Sequence, residues 1–312
     1  MARAPSPKRG TRPPVAAAPV LPVLAALLVA PASSAAQQAP LRVFVSVDME
    51  GIGGIGTPAM TSASGKDYAT GRRLMTDEVN AVAAAILERR PDAEILVNDS
   101  HGDMQNLLHT ELHPRLVYIQ GNEKPYGMVQ GLDESFDAVV FLGYHARAGD
   151  GSGFLAHTGS GVVKGLWIDD VEVGEGGLNA FYAGERGVPV VVAAGDSAFT
   201  SEISALAAPE TVITKVAQST TTARLLHPEV VHSRLREAVG RALGRLDAYA
   251  PLRRASGGPV RVRMRFEGTL RPHVLEAIPG VRRVDGYTVA FEAPDMDAAY
   301  RLIRLMYKYV NA

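Results

Sequence analysis

Three short apolar runs, each followed closely by a carboxylate or an imidazole, limit most strongly what this chain can fold into. The runs and the groups after them are residues 43–47 with Asp48 and Glu50, residues 95–97 with His101, and residues 138–144 with His145. Runs of this length and composition predict buried β-strands. In an open parallel α/β sheet, ligands bind outside the carboxyl ends of the strands. The sequence therefore predicts one crevice lined by carboxylates and imidazoles.

Asp48 and Glu50 are two residues apart, so on a continuing strand their side chains point to the same face. Two carboxylates held together repel each other unless a proton or a cation lies between them. Together with the histidines they form a ligand set suited to zinc or a similar metal. The chain contains no cysteine, which excludes disulfides, thiolate zinc sites and cysteine nucleophiles. For any single histidine, a plain structural role in a loop is the competing interpretation.

The first 36 residues have the pattern of an export signal. Four basic residues and no acidic ones precede an apolar run at 15–30, and small residues at 34–36 precede Gln37. This order predicts a signal peptide over 1–36, cleavage near Ala36, and a periplasmic or extracellular protein. An uncleaved membrane anchor is the alternative, but the run is short and contains Pro19 and Pro22. No later segment is long and apolar enough to cross a bilayer.

Without residues 1–36 the chain has 28 Lys and Arg against 33 Asp and Glu, a net charge of −5. That balance gives no reason to expect a nucleic-acid partner. The remaining length, about 276 residues, allows one large domain or two smaller ones.

The pattern of elements predicts an α/β fold with a mostly parallel sheet, flanking helices and a Rossmann-like arrangement. Apolar residues at near-helical spacing predict a helix over 66–90 between the first two strands, and a strand–helix–strand unit pairs in parallel. We expect a metal-bearing α/β domain over 41–199. Residues 200–312 are expected to form a helical segment and a smaller α+β domain or lobe. Residues 198–250 are predicted to be mostly helical, 260–266 and 287–291 to be strands, and 295–309 to be a closing helix with Ala298, Leu302, Leu305 and Met306 inward.

Shorter patterns predict local features. Asp169-Asp170 is a turn between paired segments at 162–168 and 171–173, and residues 174–179 open a helix. Asp196 is expected to be a cap at the end of a strand rather than a metal ligand. Asn98 and Asp99 either orient His101 or shape a turn.

Two motifs resemble known sites but lack their context. Gly51, Gly53 and Gly56 match the spacing of a dinucleotide-binding loop, but Thr57-Pro58 follows where a helix should begin. His109 and His113 lie at the spacing of a zinc-peptidase helix, but Thr110 replaces the required glutamate. We predict a flexible loop in the first case and ordinary loop histidines in the second.

Several longer motifs, from about Arg42 to the C-terminus, resemble the zinc D-aminopeptidase family called DppA. They are Ser46-Val47-Asp48-Met49-Glu50-Gly51, Val97-Asn98-Asp99-Ser100-His101, Gly131-Leu132-Asp133, Phe141-Leu142-Gly143-Tyr144-His145-Ala146-Arg147-Ala148 and Gly174-Glu175-x-Gly177-Leu178-Asn179-Ala180. The resemblance implies a two-zinc aminopeptidase that prefers D-amino-acid N-termini of short peptides. It also implies a homo-oligomer, in that family a ring-shaped decamer. The export signal departs from the cytoplasmic family pattern.

The resemblance also implies roles for individual residues. The zinc ligands would be Asp48, Glu50, His101, His145 and Glu175, with Asp48 bridging two ions, and His157 would be the catalytic histidine. The Gly149–Gly153 run can bend freely, so His157 can return toward the metals as proton donor, base or nucleophile. For His157 a loop role is the alternative, and for Glu175 a carboxylate stabilised by the helix dipole.

Two other functions remain open from the sequence. One is a non-enzymatic peptide-binding protein of an uptake system, which has no need of five convergent acidic and histidine side chains. The other is a different dinuclear metallohydrolase, an amidase or a phosphoesterase, which fold analogy does not exclude.

Overall fold

The structure is a computed structural model that describes residues 1–16 and 39–310. The chain divides into two compact units, Met1–Ala39 and Pro40–Ala312. Residues 1–16 are exposed and have no regular secondary structure. The apolar run and the cleavage region of the predicted signal peptide fall almost wholly on residues 17–38, outside the described residues. No helix in the described ranges has the length and apolar character needed to span a membrane.

Within residues 40–310, the described part of the larger unit, there are twelve strands and six α-helices. The strands are β1 Arg42–Val47, β2 Glu94–Asp99, β3 Val117–Ile119, β4 Ala138–Tyr144, β5 Val163–Ile168, β6 Val171–Glu172, β7 Val190–Asp196, β8 Glu210–Ser219, β9 Thr222–Leu225, β10 Val260–Phe266, β11 Arg282–Arg283 and β12 Thr288–Ala293. The helices are α1 Tyr68–Arg89, α2 Glu175–Glu185, α3 Ser197–Leu206, α4 Pro228–Leu243, α5 Leu270–Leu275 and α6 Met296–Arg304.

Seven strands form the larger sheet in the order β3-β2-β1-β4-β7-β8-β9. All neighbours are parallel except the pair β8 and β9. The predicted mostly parallel sheet with flanking helices is thus confirmed. Strand order reverses direction between β1 and β4, which is the switch point where α/β sheets bind ligands. Strands β4 and β7 are buried along their whole length, as expected for a sheet covered on both faces.

The second sheet is antiparallel and has the order β11-β12-β10-β5-β6. The predicted hairpin is present as β5 and β6, and both turn residues adopt positive φ, 47° at Asp169 and 71° at Asp170. This sheet combines β5 and β6, from the predicted first domain, with strands from residues 260–293. Pro40–Ala312 forms one compact unit, and a division of it into two domains stays a prediction.

The prediction of a mostly helical segment over 198–250 is wrong in its middle. Helices α3 and α4 are present, but β8 and β9 lie between them. The start of β8, Glu-Thr-Val-Ile-Thr-Lys-Val, is rich in β-branched residues that favour strands. Pairing with β7 extends the large sheet by this strand.

The closing helix is present, and its predicted inward face is confirmed except at Leu305: Met306 is buried, and Ala298 and Leu302 are half-buried against the core. Leu305 is 40 % exposed, whereas Tyr300, Ile303 and Arg304 are buried. After α6 the chain continues as a π-helical turn, Leu305–Tyr309, which changes the side-chain phase relative to an α-helix. Arg304, the last residue of α6, is charged but lies on the same buried helix face as Tyr300 and Ile303.

Candidate metal centre

Five of the six predicted site residues meet at the carboxyl edge of the large sheet, around the switch point. Asp48 follows β1, His101 follows β2 and His145 follows β4, while Glu175 is the first residue of α2. All five are buried: Asp48, Glu50, His101, His145 and Glu175. The most exposed of them is His101 at 9 %. Buried charges are costly unless they are paired or bind a metal, so this cluster requires positive charge.

Asp48 and Glu50 converge, but not by the predicted alternation along one strand. Strand β1 ends at Val47, and Gly51 then donates its N–H to the carbonyl of Gly143 at 2.7 Å. The chain turns here, and a Cβ at position 51 would lie 2.0 Å from the carbonyl oxygen of Tyr144. The glycine therefore allows close packing against β4, and the turn brings both carboxylates to one imidazole.

Asp48 lies at the centre of the cluster because its two oxygens reach two different histidines. Its Oδ1 is 3.1 Å from Nδ1 of His101, and its Oδ2 is 3.3 Å from Nε2 of His145. Glu50 Oε2 is 3.0 Å from the same His101 nitrogen, and Glu175 Oε2 is 3.3 Å from the same His145 nitrogen. Each imidazole nitrogen thus faces two carboxylates, one of them Asp48.

Backbone carbonyls hold the outer nitrogen of each histidine. His101 Nε2–H donates to Thr61 at 2.7 Å, and His145 Nδ1–H donates to Ala146 at 2.9 Å. His157 Nδ1–H donates to Leu155, also at 2.9 Å. Such bonds fix the tautomer of a metal-binding histidine. The other ring nitrogen, the inner one that faces the cluster, then carries a free lone pair. In the neutral tautomer, every inner nitrogen is therefore an acceptor that faces other acceptors.

Two of these inner atoms have no hydrogen-bond partner. Asp48 Oδ2 and His145 Nε2 are buried and unpaired although they lie 3.3 Å apart. Asp48, Glu50 and His145 each offer one ligand atom within 4.8 Å of the other two, which makes them one possible metal-binding group. By the same measure, His145, His157 and Glu175 form a second. Oxygen and imidazole ligands without thiolates suit zinc, so the residues present fit a zinc site.

The pKa shifts of the cluster residues also indicate a site for positive charge. Burial and the charge of Glu50 raise the pKa of Asp48. Burial opposes charge on the imidazoles as well, yet nearby carboxylates raise the pKa of His101 and of His145 well above the ordinary value. The same ion pairs overcome burial at Glu50 and lower its pKa well below the ordinary value. The cluster therefore attracts positive charge, which protons or metal cations can supply.

His157 lies at the open side of the cluster. Its ring stacks on His145 at 4.1 Å between centroids, and its Nε2 is 3.7 Å from Glu175 Oε1. The side chain is 30 % exposed, unlike the other two imidazoles. It can therefore meet a ligand from the cavity while remaining in contact with the buried groups.

Anchors on both sides fix the loop that carries His157. The N–H of Phe154 donates to Asp196 Oδ2 at 2.8 Å, and the N–H of His157 donates to the carbonyl of Ala146 at 3.2 Å. Asp196 also caps α3 through Phe199, which confirms the predicted cap. The Gly-rich segment thus returns to the cluster and is pinned there.

Asp99 does not touch His101 and instead shapes the following loop. Its oxygens accept the N–H groups of Asn106 and Leu107 at 2.6 and 2.9 Å. Of the two sequence interpretations, turn chemistry is the one observed, and the carbonyl of Thr61 orients His101. His109 is an exposed loop residue stacked on Tyr118, as predicted. The glycine motif is followed by turns rather than a helix, since α1 begins only at Tyr68.

The cavity at the cluster has a volume of about 220 Å³ and includes residues that the sequence did not indicate. Arg304, Tyr307 and Lys308 line it from the end of the chain. Arg304 ends α6 on its buried face, and Tyr307 and Lys308 follow in the π-helical turn, whereas the helical pattern of the sequence predicts Leu305 on the inward face.

An α/β sheet whose switch point holds three carboxylates and three imidazoles defines a hydrolase-type metal site. The sequence model of the D-aminopeptidase family matches residues 41–305, and the chain belongs to that family. It is 36 % identical to a D-aminopeptidase of Bacillus subtilis (strain 168) over 269 residues, which are 85 % of this chain and 96 % of that protein. A solved structure, described as the zinc-dependent D-aminopeptidase DppA from Bacillus subtilis, a self-compartmentalizing protease, superposes with a TM-score of 0.82 at 35 % identity. That comparison covers 85 % of this chain and 96 % of the other.

Proposed function

We propose that this chain is an exported zinc-dependent aminopeptidase that removes N-terminal amino acids, preferably D-amino acids, from short peptides. The observation that carries the proposal is the buried cluster in which unpaired acceptor atoms of Asp48 and His145 face each other. A family whose members are D-aminopeptidases supports the reaction.

Two zinc ions per chain fit the way the ligand atoms divide. By their shortest contacts, Asp48 Oδ1, Glu50 and His101 form one set, and Asp48 Oδ2, His145 and Glu175 form the other. The candidate groups described above share His145 instead, but the closer contacts of these two sets favour Asp48, the one residue in both, as the bridging ligand. These five residues would hold the ions, which would supply a Lewis acid and an activated water for peptide hydrolysis.

His157 is proposed as the catalytic histidine. Because its Nδ1–H is held by Leu155, the proton moves at Nε2, the nitrogen closer to Glu175. A general acid at this position donates a proton to the leaving amine, and a general base takes one from water. The competing role is that of a further metal ligand with His145 and Glu175, since those three ligand atoms lie within reach of one ion.

Export and assembly complete the proposal. The order of basic, apolar and small residues before Gln37 supports a periplasmic or extracellular location. The Bacillus structure is described as self-compartmentalizing, which supports a homo-oligomer, and by family resemblance a decamer.

The two alternatives differ in what they require of the cluster. A peptide-binding protein needs no buried acceptors that face one another without hydrogens. Another dinuclear hydrolase would use the same ligands on a different substrate.

One experiment separates these functions. Protein purified without chelator is assayed with D- and L-alanyl p-nitroanilide and with p-nitrophenyl phosphate, and zinc is counted per chain. We expect about two zinc ions, faster cleavage of the D-substrate and no phosphatase activity. Full peptidase activity in metal-free protein, or phosphate release alone, would refute the proposal.

A further inference from the structure

The cavity at the metal centre carries two zones of opposite charge. Asp48, Glu50 and Glu175 line it together with Arg304 and Lys308, and no ion pair within 4.0 Å joins these two cations to the three carboxylates. The carboxylates have imidazole partners within 3.0–3.3 Å. The two cations come from the end of α6 and the π-helical turn, where Arg304 and Lys308 are four residues apart.

Arg304 is a buried cation whose observed partners are all neutral. Its Nε–H donates to the carbonyl of Lys124 at 2.6 Å, and its other nitrogens contact the carbonyl of Asn122 and the hydroxyl of Tyr307 at 3.3 Å. Throughout residues 39–310 it forms no ion pair with a carboxylate within 4.0 Å. Its charge is therefore held in place without being neutralised, which leaves a positive potential at the cavity wall.

Lys308 supplies the accessible positive group on this wall. It is half-buried, and no hydrogen bond or ion pair of its Nζ is seen in the part of the chain that the structure describes. Burial and the adjacent Arg304 lower its pKa, while Glu123 and Asp103 raise it. A half-buried ammonium without a partner gains most from a carboxylate that arrives with the ligand.

The size of the cavity limits what can span the two zones. Its volume of about 220 Å³ lies below the about 300–1,000 Å³ of ordinary ligand pockets. A short zwitterion is complementary to it, because an amine is drawn to the carboxylate zone and a carboxylate to the cationic one.

We propose that Lys308, backed by Arg304, binds the free carboxylate of the peptide substrate. The enzyme would then prefer peptides that end one or two residues beyond the bond that is cut. This inference rests on the proposed aminopeptidase function, and it adds a specificity-determining residue to that function.

The test compares two dipeptides that differ only in terminal charge, D-alanyl-D-alanine and D-alanyl-D-alaninamide. For the zinc-loaded wild type we expect kcat/KM to be about five- to tenfold higher for the free acid, because solvent at the half-buried Lys308 reduces the charged contact to the net value of an ordinary hydrogen bond. The preference should lie mainly in KM, because the carboxylate contact is the same before and during bond cleavage.

Lys308→Met removes the charge and keeps the length of the stem, so the ratio between the two substrates should fall to within about twofold of unity. Lys308→Arg should keep most of the preference. The matched control is Lys164→Met, an exposed lysine on β5 that is not part of the cavity lining, and it should show the wild-type ratio. Lys308→Gln repeats the test if the Met variant does not fold.

Equal kcat/KM for acid and amide in the wild type, or an unchanged ratio in Lys308→Met, would overturn the assignment of Lys308 while the peptidase function stands. A zinc-loaded wild type that cleaves neither dipeptide would refute the proposed function, and the inference would fall with it.

Discussion

Replacing His157 with alanine should lower kcat by a factor of about 10²–10⁴ and leave the zinc content unchanged. General acid–base catalysis is typically worth that factor, which corresponds to about 2.7–5.5 kcal/mol in the barrier. The structure supports the separation of the two effects, because Nε2 of His157 contacts Glu175 at 3.7 Å while the shorter 3.0–3.3 Å contacts all involve His101 and His145.

The effect on stability should be small by comparison. The His157 ring is 30 % exposed and stacks on one neighbour at 4.1 Å, and a stacked pair of rings is worth about 0.5–1.5 kcal/mol. A large loss of activity with little loss of stability would therefore place the effect in the chemical step rather than in folding.

The assay is kcat on D-alanyl p-nitroanilide together with zinc per chain, measured for wild type, His157→Ala and the control His109→Ala. His109 is an exposed loop histidine stacked on Tyr118, so its removal should change neither quantity. Added imidazole should restore part of the activity of His157→Ala, since the vacated position opens to the cavity. A variant within about threefold of wild type would refute the catalytic role, and loss of one zinc ion would make His157 a ligand instead.

Three further predictions concern other parts of the molecule. Asp48→Ala should lose zinc from both positions, because its two oxygens face different histidines; Asp92→Ala should keep the full complement, and a full complement in Asp48→Ala would disprove the bridge. Burial raises the pKa of Glu78 from 4.5 to about 7, so the native state holds a proton that the unfolded chain loses, and stability falls as pH rises through this window. Glu78→Gln should therefore be stabilised relative to wild type by about 3 kcal/mol more at pH 8 than at pH 5, as measured by urea unfolding; an equal difference at both pH values would contradict this. The mature N-terminus should lie close to Gln37 in fractionated cells, and a full-length chain confined to the cytosol would rule out export.

The sequence predicted the parallel sheet and the meeting of its strand ends because both follow from local patterns. Apolar runs define strands, a helix between two strands imposes parallel pairing, and parallel strands bring their carboxyl ends to one edge. His101 and His145 come directly from this logic. His157 and Glu175 do not follow from it. The flexible loop around Gly149–Gly153 can carry His157 to many positions, and only the family resemblance assigned roles to these two residues.

The features that the sequence missed depend on contacts between distant segments. Strand β8 lies in a segment predicted to be helical because helices flank it; its β-branched residues favour a strand, but its pairing with β7 is a contact that the local pattern does not show. The carbonyls that orient the imidazoles, such as that of Thr61, carry no signature in residue type. Arg304 lies on the buried face of α6, but a charged residue adds nothing to an apolar pattern, and the carbonyls of Asn122 and Lys124 that hold it are distant in sequence.

The order of the cavity residues along the chain has a consequence for biosynthesis. A polypeptide made from its N-terminus presents the segment from Asp48 to Glu175, with every proposed zinc ligand, before Arg304 and Lys308 have been synthesised. The proposed ligands are thus encoded early and the two cations of the cavity late. A chain truncated before Arg304 would keep every proposed ligand residue and lose three residues of the cavity lining, Arg304, Tyr307 and Lys308.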